Sequence, residues 1–195
     1  MKTTKTPLDG VIILEPTIFQ DARGYFYESW NQKTFEKIGL HYNWVQDNQS
    51  QSGYGTIRGI HYQKGNKAQA KLVRVIKGRV LDIAVDLRKG SATYGKHIAV
   101  ELTETNHKQL LIPRGFGHGF SVLSESAIFT YKCDNDYAPE SEGSVNALDL
   151  TLAINWQIPK DKIIQSAKDQ KAQSFQQYNQ APDFIDPEYI KDTHQ

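Results

Sequence analysis
The chain has 195 residues, 38% of them hydrophobic and 23% charged, with a formal net charge of +1. That length suits one domain with a core of its own, and the near-zero charge argues against a general nucleic-acid binder, which carries a clear basic excess. Cys133 is the only cysteine, so no internal disulfide can form, in keeping with a reducing cytoplasm.

Near the N-terminus the apolar run over 11–14 is too short for a signal-peptide core or a membrane span. The chain therefore reads as cytoplasmic, with no membrane partner. The stretch N-Q-K-T-F-E-K-I-G-L, starting at Asn31, combines a capping residue with a stop at Gly39 and predicts a short helix. K-L-V-R-V-I, then Lys77-Gly78, then R-V-L-D-I-A-V-D-L reads as a strand, a tight turn and a strand. In the second strand Leu81, Ile83, Val85 and Leu87 share one face, and Asp82, Ala84 and Asp86 share the other. The two aspartates are either buried and hydrogen-bonded or placed at the mouth of a barrel.

Further strands are predicted over 98–102, 109–112, 120–123 and 127–132, with turn-rich links such as R-K-G-S and T-E-T-N between several of them. Many short strands at such spacing predict an all-β fold, an antiparallel sandwich or barrel with minor helices. From Pro159 the chain turns polar. It predicts a surface extension over 156–195, with a short last helix around 188–191, on a single domain whose core spans roughly residues 10–155. Trp30, Trp44 and Trp156 read as core or dimer contacts.

Two stretches concentrate chemistry. In R-G-I-H-Y-Q, His61 follows Arg58 by three residues; a lone histidine is more often structural than catalytic. In I-P-R-G-F-G-H-G-F the Pro-x-Gly-x-x-His spacing places a tight turn before His118. This second stretch is similar to a motif of the cupin superfamily, small antiparallel barrels that hold a ligand in an open mouth. Metal-binding cupins supply several histidines and a glutamate. Here His61 and His118 fall short of the three or four ligands a transition metal takes. Without a metal, a histidine held by a carboxylate and faced by a tyrosine, with a lysine near, would be equipment for proton transfer next to a carbonyl; His61, Tyr131, Lys71 and the late S-A-K-D stretch supply those residue types. A metal-dependent cupin and a non-catalytic sugar-nucleotide binder remain alternatives. His118 reads equally as a ligand contact or a turn-stabilising residue, and Arg23 as a ligand contact or an exposed turn residue.

The series R-G-Y-F-Y-E, V-Q-D-N-Q-S, I-R-G-I-H-Y-Q, A-K-L-V-R-V, D-I-A-V-D-L-R, I-P-R-G-F-G-H-G-F, F-T-Y-K-C and S-A-K-D runs in order from about Pro16 to Asp169. It resembles the dTDP-4-dehydrorhamnose 3,5-epimerase family. The resemblance implies a cupin-like jelly roll without metal or other cofactor, a homodimer with crossing N-terminal strands, and a dTDP-sugar substrate. It implies His61 as general base, Asp169 as its partner, Tyr131 as the acid and Lys71 at the C4 oxygen. Arg23, Glu28, Gln46, Asn48, Arg58, His118, Glu142 and Lys168 would hold the sugar nucleotide, and Tyr137 would stack on thymine. Some relatives invert C3 alone. The segment D-N-D-Y after Cys133 is more acidic than the family's pattern.

Overall fold
Period-2 alternation along the strands builds two sheets that pack face to face in a computed structural model describing residues 1–185. The last helix expected over 188–191 lies outside those residues. The first sheet has six strands: β1 (Lys2–Lys5), β2 (Ile12–Glu15), β10 (Gln109–Ile112), β7 (Lys71–Lys77), β12 (Ser126–Cys133) and β5 (Gln46–Gly53), in that spatial order. The second has five: β13 (Glu142–Ser144), β6 (Ile57–Gln63), β11 (Phe116–Val122), β8 (Arg79–Asp86) and β9 (His97–Thr103). A hairpin, β3 (Phe19–Asp21) with β4 (Gly24–Phe26), stands apart. Short helices α1 (Gln32–Lys37), α2 (Ala167–Gln170) and α3 (Phe175–Gln180) are peripheral. The architecture is the expected mostly-β jelly-roll type, a two-sheet sandwich.

Strands β7 and β8 both form, but they do not pair with each other. Gly78, at φ 82°, turns a corner and sends them to opposite sheets. The tight turn is therefore a crossover rather than a hairpin loop. The structure settles the sense of the alternation in β8. Leu81, Ile83, Val85 and Leu87 face outward, where they join Ile57, Ile60 and Tyr62 in a cluster covered by the C-terminal segment. The face with Asp82 and Ala84 points into the sandwich, where Val80, Ala84, Phe120 and Phe129 share a second cluster. Both aspartates are buried and hydrogen-bonded. Asp86 holds Arg88, Ser91 and Thr93.

The segment after Pro159, although polar in composition, is anchored in the core. Phe175, Tyr178 and Phe184 pack beneath the five-stranded sheet with Trp156, and the Tyr178 hydroxyl donates to the Leu87 carbonyl at 2.8 Å. Each such apolar side chain contributes about 1.5–3 kcal/mol when buried, which fastens the segment that carries α2. On the far side, α1 covers the six-stranded sheet with Phe35. Its cap is the expected one, Asn31 accepting from the Thr34 amide at 3.2 Å.

One irregularity positions the site. On β11, His118 pairs with His61 of β6, but Phe120 pairs with Arg58, so β6 carries one extra residue there. This bulge turns Arg58 and His61, three apart in sequence, onto the same inner face. Gly59 sits in the bulge at φ 122°, and a Cβ on it would lie 2.5 Å from the Gly119 Cα and 2.7 Å from the His118 carbonyl oxygen. Gly59→Ala is therefore expected to destabilise the protein by more than about 1 kcal/mol, lowering Tm by at least roughly 2–4 °C. A thermal melt indistinguishable from wild type would show that the two strands need no such close approach.

Candidate active site
Register places the candidate residues on two facing walls. The five-stranded sheet offers Arg58, His61 and His118 on its inner face, with Asp82 beside them on β8. In the six-stranded sheet Tyr131 lies opposite Asn48 and Val73, and Cys133 opposite Gln46 and Lys71, so these side chains share its inner face. Arg58 spans the gap, its Nε donating to the Ser52 hydroxyl of β5 at 3.0 Å.

His61 is joined to Asp169, with Nε2 and Oδ1 2.6 Å apart. Asp169 is presented by α2, whose cap is Ser166: its Oγ accepts from the Asp169 amide at 3.1 Å. Burial pushes the Asp169 carboxyl up, but hydrogen bonds from His61, Ser166 and the Gly59 backbone outweigh it and hold the group below its usual range. An ionised Asp169 requires the proton on His61 Nε2, so in the neutral imidazole the lone pair is on Nδ1. His61 keeps 32% of its side chain exposed while Asp169 keeps 4%. The imidazole can reach a ligand and the carboxylate behind it cannot.

Tyr131 packs against Phe129, ring centroids 6.1 Å apart, with the Lys71 Nζ 5.8 Å from its ring. Burial raises the phenol's pKa, so it holds its proton at neutral pH. Burial lowers the pKa of Lys71, while the carboxyls of Asp82 and Glu142 act to keep the ammonium charged. His118 is buried; its Nε2 lies 2.9 Å from Asp82 Oδ2 and its ring stacks on Phe129. Between the two readings of His118, the structure shows a hydrogen bond to a strand aspartate rather than to the turn before it.

A polar chain runs along the open end. Lys168 Nζ is 2.5 Å from Glu142 Oε2, which also accepts from the Tyr137 hydroxyl at 2.9 Å. Burial acts to raise the Glu142 carboxyl, but the hydrogen bonds from Lys168 and Tyr137 hold it below its usual range. The Tyr137 amide donates to Gln46 Oε1 at 3.0 Å, and Gln46 Nε2 donates to Asn48 Oδ1 at 3.0 Å. Tyr137 itself is 53% exposed and offers an open ring face. The acidic D-N-D-Y segment does not crowd that ring with bare charge at Asp134. That carboxylate accepts from the Ala70 amide and from Arg114.

Two predicted residues stand outside this assembly. Arg23 pairs with Asp21 inside the β3–β4 hairpin, and Glu28 accepts from the Thr34 hydroxyl at 2.8 Å. Their hydrogen bonds among the described residues reach none of the other candidates. Sequence reasoning left Asp82 without a role; its signal was an acidic residue inside an otherwise apolar strand. It also passed over Ser166 as the cap that aims Asp169, and over the bulge that a glycine inside a strand marks. Among the described residues, no three His, Cys, Asp or Glu side chains gather as a metal site, and no helix is long and apolar enough to cross a membrane.

A dTDP-4-dehydrorhamnose 3,5-epimerase of Salmonella typhimurium is 49% identical over 176 residues, 88% of this chain and 94% of that protein. The crystal structure of the enzyme of that name from Elizabethkingia anophelis superposes with a TM-score of 0.88 at 56% identity, covering 92% of this chain and 98% of the other. A dTDP-6-deoxy-D-glucose-3,5-epimerase from Legionella pneumophila, in complex with dTDP-4-keto-L-rhamnose, superposes with a TM-score of 0.86 at 43% identity and 96% coverage of both chains. Residues 5–177 match the family described as dTDP-4-dehydrorhamnose 3,5-epimerase, and the chain belongs to that family.

Proposed function
We propose that this chain inverts C3 and C5 of dTDP-4-dehydro-6-deoxy-D-glucose, giving dTDP-4-dehydro-L-rhamnose, with His61 as base and Tyr131 as acid. One observation carries the assignment of roles: His61 and Tyr131 stand on the inner faces of opposite sheets. Inversion at carbon needs a proton taken from one face and another delivered to the opposite face. The C4 ketone acidifies both neighbouring C–H bonds, so acid–base side chains suffice. His61 Nδ1 takes the proton, and the C–H electrons move into an enolate whose charge rests on the C4 oxygen. The Lys71 ammonium stabilises that oxygen. The Tyr131 hydroxyl then gives its proton to the other face, and solvent exchange restores both side chains. Asp169 stabilises the imidazolium while it lasts.

The open end suits the nucleotide. Arg58, Gln46, Asn48, His118, Glu142 and Lys168 hold the sugar nucleotide, and the exposed Tyr137 ring takes the thymine face. Arg23 and Glu28 complete the site from a second copy of the chain. The β3–β4 hairpin that carries Arg23 exposes Phe19, Tyr25 and Phe26 by 57–69%, a surface suited to a homodimer. A cytoplasmic location fits the single free cysteine, Cys133.

The test is NMR of the substrate with this protein in deuterated water. Deuterium at both C3 and C5, with an L-sugar trapped by a coupled reductase, is the expected result. Exchange and inversion at C3 alone would make it a narrower epimerase. No exchange, with the nucleotide bound, would make it a binding protein.

A further inference from the structure
Asp82 and His118 lie beside His61, yet neither has a part in the proton transfers above. Asp82 is wholly buried, and an acidic group so placed demands a compensating interaction. Its Oδ2 lies 2.9 Å from His118 Nε2, and its Oδ1 has no hydrogen-bond partner. His118 is sandwiched by packing, its ring stacked on Phe129 at 5.9 Å, and cannot turn freely. Its Nδ1 makes no hydrogen bond among the described residues, and 6% of the residue stays exposed.

We propose that Asp82 is a positioning residue that fixes the proton on His118 Nε2, so that Nδ1 meets the sugar as a hydrogen-bond acceptor and selects a hydroxyl. The inference rests on the reading of this cavity as an epimerase site. A lone pair at Nδ1 repels a carbonyl oxygen and welcomes an O–H. Lys71, which has donors and no acceptor, then faces the ketone oxygen. The two side chains divide the ring between them, one reading hydroxyl and the other reading carbonyl, and that fixes which way round the sugar lies. Burial holds His118 below its usual pKa, which keeps a second proton off Nδ1. Burial raises the Asp82 carboxyl, while His118 and Lys71 act to keep it charged.

The test combines histidine ¹⁵N NMR of the full chain with kinetics, the His118 signals being assigned by their loss in His118→Gln. Wild type should show one neutral tautomer, protonated at Nε2. Asp82→Asn keeps an oxygen acceptor and should keep that tautomer. Asp82→Leu removes the acceptor and should lose it. KM for the sugar nucleotide should rise about tenfold in Asp82→Leu, the worth of one hydrogen bond, with kcat less affected, and Asp82→Asn should recover most of that loss. A proton on Nδ1 in the active wild type would overturn the proposal. So would an Asp82→Asn protein that holds the Nε2 tautomer yet binds as weakly as Asp82→Leu. If Asp82→Leu does not fold, the wild-type spectrum and Asp82→Asn decide. Absence of any epimerisation by wild type would instead sink the proposed function, whatever the tautomer.

Discussion

His61→Ala should lose both C3 and C5 exchange by about 10⁴-fold or more, the upper end of what one general base supplies. No other group stands ready to replace it. Asp169 is 4% exposed behind the imidazole, and His118 has its Nε2 committed to Asp82. Removing the ring leaves the Asp169 carboxylate set back from the substrate by the depth of an imidazole. The fold should survive, because His61 is only part-buried and belongs to none of the apolar clusters. The measurement is deuterium wash-in at each carbon, beside a thermal melt. Exchange within tenfold of wild type in a folded His61→Ala protein would remove His61 from the mechanism.

Tyr131→Phe should separate two events that wild type joins. The change deletes one oxygen and keeps the ring that packs against Phe129, so the wall of the cavity is preserved. Proton abstraction by His61 continues, and wash-in of deuterium should fall little. Inversion should fall by roughly 10²-fold or more, because the opposite face has lost its acid. Burial, which keeps the phenol protonated, also keeps water from being an efficient substitute. The ratio of exchange to inversion, followed by NMR on one sample, checks this. Equal loss of both would mean that Tyr131 acts before or during abstraction, not after it.

Much of this was legible in the chain itself, and the exceptions have physical causes. Alternation along β8 was plain in the sequence, but alternation alone does not say which face is inside. Here the apolar face lies under the C-terminal segment, and the face with Asp82 points into the sandwich. Strand β5, Q-D-N-Q-S-Q-S-G, carries little apolar signal because it is an edge strand with exposed residues alternating along most of it. The polar tail hid three aromatic anchors, since a few buried rings can fasten a segment whose remaining residues face water. His61 and Asp169 are 108 residues apart and were joined in advance only by family resemblance; their 2.6 Å contact depends on a capped turn and a bulge. The ligand roles proposed for Arg23 and Glu28 call for a second chain, because their hydrogen bonds among the described residues reach none of the other candidates.

The stack of Phe120 on Phe129 joins the five-stranded wall to the six-stranded wall, ring centroids 4.2 Å apart. Those rings sit two residues from His118 on one strand and two from Tyr131 on the other. They therefore act as a spacer in a caliper whose jaws carry the proposed base and acid. The contact sets how far apart the two walls stand at that level of the sandwich. On the proposed mechanism, stereochemical fidelity is thus a matter of mechanical tolerance. A core that breathes would let the ring tumble between removal and return of its proton, and the enzyme would scramble the carbon it is meant to invert.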